Sequence, residues 1–368
     1  MKKLIFFLAI ALLSSKVFAF AENVTYGYVN CMACHVSPSG GGLLNDYGRS
    51  LSKELMSTWG WKGSEQPAFG LIKNTESVKV GGNLRAIQTY YENNQNKQGK
   101  QFLMQQNVEL GLKFMKTWFI GTLGTQEGPK GGPDKGHLIS ERHYALWEVN
   151  DSVRLRAGKF RHHFGLNDPA HTRVTKAPLG FGSNSETYNI EFSHFGENSE
   201  IFFTSDFGKI DQSRTKTNEK SFSVNFAHYL NEKNKIGSSL LFGEKSSDRR
   251  QVLNLYGVLN PIAHTIYKFD SSFQQNVSYS TQKERTDLLA MTSTFGLPLF
   301  KGFMPYLVNE FIQRDLQVHN TRSEAYGAGI QWLPLPHFEI QLEYQRKVDR
   351  TPTKQYADYA WLVTHFFL

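Results

Sequence analysis

From about Glu76 to the end of the chain, apolar side chains alternate with polar ones. In the stretch "FEIQLEYQ", which begins at Phe338, every second residue is apolar and every intervening one is charged or an amide. Successive side chains of a β-strand point to opposite faces, so this period of two predicts strands with one apolar and one polar face. The same alternation recurs in the segments that begin at Val108, Tyr188, Phe222 and Tyr326.

Two kinds of connection separate these segments of about ten residues. Some are short, such as Asn150-Asp151, and others are long and polar. Tight turns on one side, long loops on the other and alternating strands are typical of a transmembrane β-barrel. The sequence therefore predicts an all-β fold, an antiparallel barrel of about 16 strands, in which 259–295 forms one long strand or two. The expected long loops are 92–101, 125–140, 161–186, 208–219, 314–322 and 348–355.

A soluble β-sandwich is the alternative fold for such a pattern, because its strands also alternate. A sandwich buries one apolar face against another, and this many segments over about 290 residues exceed one ordinary core. A closed barrel satisfies every backbone N–H and C=O without water, which a chain inside a bilayer must do. The pattern therefore favours the membrane barrel, with outer-membrane lipid as its surroundings.

The first 21 residues have the order of a secretory signal peptide: Lys2 and Lys3, an apolar run, then small residues at Ala19 and Ala21. We expect cleavage before Glu22. Loss of the three leader lysines lowers the formal net charge of +8 by three. The remaining basic residues are scattered through the chain, whereas a nucleic-acid binder carries a clustered basic stripe, so we expect no nucleic acid as a partner.

The chain contains only two cysteines, and both lie in "CMACH", residues 31–35. C-x-x-C-H is the attachment motif of a c-type haem. In such a site Cys31 and Cys34 add to the two vinyl groups of the porphyrin, and His35 becomes an axial ligand of the iron. We therefore predict one covalent haem c, held by Cys31 and Cys34 with His35 as the iron ligand.

Four other interpretations of the two cysteines are weaker. A lipoprotein cysteine directly follows the apolar core of the signal, whereas Cys31 lies well past it. A thioredoxin-like C-x-x-C lies in a βαβ context, which the sequence lacks here. A zinc site needs four ligands, and no second C-x-x-C or paired histidine lies nearby. A disulfide does not require the adjacent histidine. The export signal agrees with haem, because haem attachment of this kind takes place outside the cytoplasm.

Met56 is a candidate for the second axial ligand, since it is the methionine close downstream of His35 and thioethers ligate haem iron. Alternatively, Met56 packs in the helix expected over Asp46–Thr58, and a histidine from the barrel or no protein group completes the site. The run Gly40-Gly41-Gly42 suggests backbone that wraps tightly at the haem edge. Tyr47 and Arg49 could bind a propionate.

"CMACHVSPSGGGLLNDYGRSLSKEL" followed by a barrel resembles the fusions of a single-haem cytochrome with an outer-membrane porin in Gram-negative bacteria. The resemblance implies an outer-membrane protein that acts in electron transfer. One haem cannot bridge an apolar band about 25 Å tall, so electron transfer across the membrane needs periplasmic or extracellular partner cytochromes.

"VRLRAGKFRHHFGLNDPAHT", residues 153–172, is similar to a strand and loop of phosphate-selective-type porins. The matching residues are Gly158, Lys159, Phe160, Phe164 and Gly165, whereas His162-His163 departs from the proline-rich pattern of that family. Arg154 and Arg156 are expected to face the lumen, where basic groups favour anions. The loop 161–186 either folds inward and constricts the pore or stays exposed to solvent.

The predicted organisation is a signal peptide at 1–21, a haem-binding segment at 22–75 and a barrel at 76–368. We expect the haem-binding segment at the periplasmic mouth or inside the lumen, with Gly81-Gly82 allowing it to fold back. The predicted function is electron transfer at the outer membrane. The alternative is a diffusion porin, with some preference for anions, in which the segment is a structural plug or redox sensor. No catalytic motif stands out, so we predict no enzyme.

Overall fold

The fold is a closed antiparallel β-barrel, seen in a computed structural model that describes residues 30–368 except 126–135, 171, 183, 211–217, 247, 263, 280–283 and 351–353. Each strand in these residues pairs with its neighbours in sequence, and the last strand pairs with the first. The prediction of about 16 strands is confirmed. They are β1 (Val78–Asn93), β2 (Lys97–Phe114), β3 (Thr117–Thr125), β4 (Leu138–Glu148), β5 (Val153–Phe160), β6 (Thr187–Phe195), β7 (Ser199–Asp206), β8 (Lys220–Asn231), β9 (Asn234–Lys245), β10 (Asp248–Leu259), β11 (Ile266–Ser278), β12 (Glu284–Gly296), β13 (Phe303–Gln313), β14 (Arg322–Leu335), β15 (Phe338–Asp349) and β16 (Gln355–Phe367).

The alternation in sequence becomes an apolar outer surface and a polar lumen. On β2, the side chains of Val108, Leu110 and Leu112 are exposed on the outside of the barrel, while the alternate residues Asn107 and Glu109 are buried inside. An apolar outside on a closed barrel suits lipid, and a polar inside is typical of outer-membrane channels. This arrangement bears out the expected location in the outer membrane.

Several predicted connections are shorter in the structure than in the sequence-based prediction. Most of 92–101 belongs to β1 and β2, because Oδ1 of Asn93 accepts hydrogen bonds from the backbone of Gln95 and Asn96 and closes the turn within three residues. The expected loop 348–355 is likewise shortened, since β15 continues to Asp349. The ambiguous stretch 259–295 contains two strands, β11 and most of β12.

The helical structure lies mainly before the barrel. Helix α1 (Asp46–Leu51) continues as a wider turn of π-helix over Ser52–Met56, in agreement with the helix expected from Asp46 to Thr58. None of the helices in the described residues is long and apolar enough to cross a membrane. Short 3-10 turns occupy Cys31–Ala33, Pro67–Gly70, Ala177–Leu179 and His319–Thr321.

The loop 161–186, described except for residues 171 and 183 and named L3 here, folds into the lumen. Its side chains Phe164, Leu179 and Phe181 pack in one buried cluster with inward residues of the wall, Leu241 and Ile312 among them. Inward apolar residues on a porin wall would otherwise meet water, so L3 explains their presence. Of the two alternatives for this loop, the inward fold is the one observed.

A buried ion pair holds L3 to the far wall of the barrel. Both terminal nitrogens of Arg173 donate to the carboxylate of Glu343 on β15, each over 2.7 Å. Lys176 contacts Asp270 at 3.1 Å, and Asp168 contacts Lys268 at 2.9 Å. Bidentate pairing of arginine with a carboxylate fixes the geometry of the contact and strengthens it. These ion pairs therefore hold L3 in place across the lumen.

The predicted signal peptide at 1–21 lies outside the described residues, as does the start of the segment 22–75. The first strand begins at Val78, close to the boundary predicted at residue 76.

Candidate functional site

The residues before the barrel, 30–59, lie inside the lumen and are named the plug here. Leu43 is almost completely buried and packs with inward side chains of β3, β4 and β5. A Cβ atom added at Gly81 would stand 2.9 Å from Leu43, and one at Gly111 would stand 2.5 Å from it. Glycine at these two wall positions therefore leaves the space that Leu43 fills.

Gly81 and Gly82 do not act as the hinge that the sequence suggested. Both lie within β1 and neither has a positive φ, so the chain is extended there. A Cβ at Gly82 would stand 2.8 Å from the carbonyl oxygen of Asn107 on β2. The two glycines serve close approach, of Leu43 to the wall and of β1 to β2.

Arg156 on β5 joins the plug to the barrel wall. Its guanidinium donates to the hydroxyls of Ser37 and Ser39 over 3.0 and 3.2 Å, and to Glu191 over 2.7 Å. Glu191 is the direct cross-strand partner of Arg156 on β6, and both are buried. Arg156 faces the lumen as predicted, but its charge is compensated by this carboxylate.

Arg154 lies on the same face of β5 as Arg156, as predicted, but near the strand end. Its guanidinium donates to the backbone carbonyls of Asn150 and Val153, at the turn between β4 and β5. Arg154 lies close enough to the strand end for its long side chain to reach back to these carbonyls. The guanidinium groups of both arginines are therefore largely engaged in local hydrogen bonds and an ion pair, which reduces the free positive charge in the lumen.

The C-terminal end of the plug is bonded to the rim that carries the short turns. The backbone N–H groups of Thr58 and Trp59 donate to the carbonyls of Leu333 and Pro334, each over 2.9 Å. The hydroxyl of Thr58 donates to the carbonyl of Lys301 over 2.9 Å. Short turns face the periplasm in barrels of this kind, so the plug enters from the periplasmic rim.

The C-x-x-C-H turn is held in shape by two asparagines. The side chain of Asn30 accepts from the N–H of Ala33, and the side chain of Asn45 donates to the carbonyls of Met32 and Ala33 over 3.0 and 3.1 Å. Asn45 also caps α1 by accepting from the N–H of Gly48 over 2.8 Å. One side chain thus fixes the motif and the helix relative to each other.

Glycine is required where α1 meets the motif. A Cβ at Gly48 would stand 2.3 Å from the carbonyl oxygen of Cys34, a distance that no side chain can occupy. Gly40, Gly41 and Gly42 have positive φ values of 79°, 71° and 64°, as the sequence suggested for a tightly wrapped loop. A Cβ at Gly40 would stand 3.1 Å from Sγ of Cys31, so this loop passes close beside the thiol.

A lumen cavity of about 430 Å³ opens beside the motif. Cys31, Cys34, His35 and Met56 all line it, so the structure brings the four predicted site residues to one cavity. L3 contributes His162 and His163 to the same cavity. The volume falls within the roughly 300–1,000 Å³ of ligand pockets in proteins.

The motif has two free thiols and a neutral imidazole, the groups that a covalent haem site uses. The cysteines are free thiols, and burial raises the pKa of each to about 11. Burial lowers the pKa of His35 to about 4, so its imidazole is neutral at pH 7, the form that ligates metals. Nδ1 of His35 is buried with no hydrogen-bond partner among the described residues. These residues therefore fit the predicted haem.

Arg49 and Tyr47 do not line this cavity, contrary to their proposed contact with a propionate. Arg49 is completely buried, and its Nη2 donates to the carbonyl of Val80 on β1 over 2.7 Å. Tyr47 is about half exposed. The helical turn of α1 points Arg49 toward the wall instead, where it fixes the plug to β1. The basic residues that do line the cavity are Arg85, Arg142, Arg156, Arg161, Lys176 and Lys235.

Sequence reasoning left the inward fold of L3 open and missed that L3 brings two histidines to the cavity and that Arg156 binds the plug. A signal was present for Arg156, since Glu191 lies at an inward position of the next strand. A charged pair facing the lumen on adjacent strands can be found from register alone. No comparable sequence signal indicates that L3 places two histidines at the cavity, because apolar and polar residues do not alternate regularly in L3.

Replacement of Arg156 by methionine is expected to release the plug. The variant removes the bonds to Ser37 and Ser39 and leaves Glu191 buried without its cation, a loss of about 3–5 kcal/mol for a broken buried pair. Limited proteolysis of the folded protein should then cut residues 30–59 much faster than in the wild type. Arg154→Met is the matched control and should leave the rate unchanged. Equal rates for both variants would show that Arg156 does not hold the plug.

Comparison with known proteins identifies the fold. No family model and no curated protein sequence matches the chain. The solved outer membrane channel DcaP of Acinetobacter baumannii is 11% identical, with a TM-score of 0.61 over 81% of this chain and 99% of that one. OmpT, an outer membrane protein of Vibrio cholerae, is 9% identical, with a TM-score of 0.63 over 81% of this chain and 100% of that one.

The anion-selective porin from Comamonas acidovorans is 9% identical, with a TM-score of 0.59 over 79% of this chain and 99% of that one. Identities this low show the fold alone. The chain has the fold of outer-membrane porins, which confirms the porin part of the resemblance seen in the sequence. The cytochrome part of that resemblance is not tested by these likenesses.

Proposed function

We propose that this porin-type barrel carries one covalent c-type haem in its lumen and acts in electron transfer at the outer membrane. The observation that supports the proposal is the position of the C-x-x-C-H turn. Cys31, Cys34 and His35 line a lumen cavity of about 430 Å³, on a turn whose shape is fixed by hydrogen bonds. The two cysteines are free thiols, and the neutral imidazole of His35 is the form that ligates metals.

Cys31 and Cys34 would hold the porphyrin through thioether bonds, and His35 would be one axial ligand of the iron. Met56 lines the cavity and remains a candidate for the other axial position. When bound, the haem supplies reversible one-electron exchange at its iron. The chain itself orients the motif, through Asn45 and Gly48, and limits the access of water by burying the plug between L3 and the wall.

The direction of access follows from the bonds of the plug to the short-turn rim. Thr58 and Trp59 lie at that rim, so the plug is reached from the periplasm. An apolar band about 25 Å tall separates the two rims of such a barrel. A periplasmic redox protein is therefore the expected partner, and transfer to the cell surface needs a further cytochrome or an extracellular acceptor.

A diffusion porin with the plug as a structural or redox-sensing element is the second candidate. The comparisons favour it, since one of the similar structures is an outer membrane channel and another is an anion-selective porin. Basic residues that line the cavity support a preference for anions, although Arg156 is paired with Glu191 and Arg161 contacts Glu186 at 3.0 Å. Measurement of reversal potentials in a salt gradient tests this preference.

Electron exchange with a soluble c-type cytochrome tests the first candidate. The full mature chain, purified from outer membranes, should oxidise and reduce optically in a reversible titration. After reduction it should pass electrons to added oxidised cytochrome c in stopped-flow mixing. The variant with both cysteines replaced by alanine is the control and should transfer none. A wild-type chain that conducts ions but exchanges no electrons would leave the porin candidate.

A further inference from the structure

We propose that His162 of L3 is the second axial ligand of the haem iron, through its Nε2 atom. The inference rests on the proposed haem and deepens it, since it assigns the residue that completes the site. His162 lines the cavity that Cys31, Cys34 and His35 also line, and its side chain is only 7% exposed. Both of its ring nitrogens lack hydrogen-bond partners among the described residues.

Buried polar atoms without a partner are uncommon in native proteins, and a bound ion or group is one explanation for them. Of the described histidines, His162 and His337 have both ring nitrogens in this state, and of these two only His162 lines the cavity. An imidazole that is enclosed in a polar lumen could easily have been given a hydroxyl or amide partner. His162 instead leaves two nitrogens unsatisfied on the cavity side of L3. A metal ligand has this requirement, because the coordinating nitrogen must keep its lone pair free.

The surroundings of the ring select Nε2 as the coordinating atom. Oδ2 of Asp206, at the end of β7, lies 3.7 Å from Nδ1 of His162. Histidine ligands of metals usually donate their other N–H to a carboxylate, which fixes the tautomer and strengthens the ligand. Asp206 is itself held by the N–H of Gly208 over 2.6 Å. A movement of under 1 Å would close the bond to Nδ1 and leave Nε2 for the iron.

The ring orientation of His162 is fixed by an aromatic contact. Phe181, also in L3, meets the His162 ring edge-on with the ring centroids 5.6 Å apart. Phe181 stacks in turn on Phe164 at 4.5 Å. L3 therefore presents the imidazole from a packed cluster that is anchored to the wall, and this is the rigid support that a ligand needs.

The other histidines that line the cavity are less suited to ligation. His365 has both ring nitrogens engaged, with Glu339 at 3.1 Å and Asn83 at 3.0 Å. The ring of His163 lies 4.5 Å from that of Phe202, a residue of the wall. Nε2 of His163 is also buried without a hydrogen-bond partner, but among the described residues no carboxylate lies within ion-pair distance of its ring as Asp206 does of His162. His163 is therefore the matched control for His162.

Met56 is the remaining competitor, and spectroscopy separates it from a histidine. Low-temperature electron paramagnetic resonance and near-infrared magnetic circular dichroism of the ferric wild-type chain distinguish histidine–histidine from histidine–methionine ligation. We expect the signature of two imidazoles. A histidine–methionine signature would overturn the proposal without touching the covalent haem, and this measurement needs no variant.

Variants of the three candidate residues then show which of them ligates the iron. His162→Gly should convert the haem from low spin to high spin, while the denatured chain keeps its full haem stain. Added imidazole should restore the low-spin spectrum, which only a folded protein with an open ligand position can show. His163→Gly and Met56→Leu should remain low spin. A low-spin His162→Gly spectrum without imidazole, or a ligand loss in either control, would overturn the assignment.

Asp206→Asn tests the positioning role of the carboxylate. The variant keeps the imidazole ligand, so the spectrum should remain low spin. Loss of the negative charge beside Nδ1 should shift the midpoint potential upward, because the carboxylate stabilises the ferric state. An unchanged potential would show that Asp206 does not act on the ligand. A wild-type chain without covalent haem would reject the proposed function and this inference together, whereas the outcomes above reject the inference alone.

Discussion

Deletion of residues 30–60 is expected to raise the single-channel conductance of the barrel several-fold in a planar bilayer. Barrels of 16 strands enclose an aqueous lumen, and here the plug fills part of it. Leu43 is inserted between wall glycines, and Ser37 and Ser39 are bonded to Arg156. Removal of these groups opens a water-filled path along the wall.

The deletion should leave the barrel itself folded, because the backbone N–H and C=O groups of the strands pair with those of neighbouring strands. L3 keeps its ion pair with Glu343, so the conductance should stay below that of an unobstructed 16-stranded channel. A shift in gel migration on heating serves as the control for folding. A folded deletion variant with wild-type conductance would mean that ions already pass the plug freely.

Replacement of both Cys31 and Cys34 by alanine is expected to abolish covalent haem completely. Each thiol would form one thioether bond, and the two together hold the porphyrin after the protein is denatured. The single variants should retain less stain than the wild type, and Met56→Leu should retain all of it because the thioether bonds do not involve Met56. Peroxidase stain on a denaturing gel gives the measurement, with the heat shift again reporting the fold.

Stain that survives in the double variant would contradict the assignment of the motif. The barrel is expected to assemble without haem, since the plug is not part of the sheet. A double variant that fails to reach the outer membrane would therefore also be informative, because it would show that haem attachment precedes assembly of the barrel.

The barrel could be predicted from the sequence because lipid and water impose opposite demands on the two faces of each strand. Leu110 and Glu109 are neighbours in the chain and lie on opposite sides of the wall. The period of two in the sequence therefore indicates the strands and their two faces directly. The strand count followed from the same pattern. The turn at Asn93 was harder to place, since a short polar hairpin end looks like a loop when only composition is considered.

The inward fold of L3 could not be predicted in this way. Its anchor joins Arg173 to Glu343, which lie 170 residues apart in sequence and have no pattern in common. The apolar residues of L3 pack against inward positions of the wall, and such positions are expected to be polar. The pairing of His162 with Asp206 is likewise visible only once the strands are placed.

The chemistry proposed for the site comes from the sequence alone, because C-x-x-C-H is a local motif. The sequence predicts that the motif lies either at the periplasmic mouth or inside the lumen. In the structure the motif lies inside the lumen. The reason is the fit of Leu43 between Gly81 and Gly111, a contact between residues whose sequence neighbours give no hint of it. Met56 lines the cavity, whereas Arg49 turns to the wall.

The amount of covalent haem per mature chain tests the central claim most directly. The full-length protein should be produced in a Gram-negative host that attaches c-type haem, purified from its outer membrane and denatured. Haem absorbance and the intact mass of the chain then give the stoichiometry. The account predicts one haem on each chain, retained after denaturation. A folded barrel from the same membranes that carries no covalent haem would contradict it.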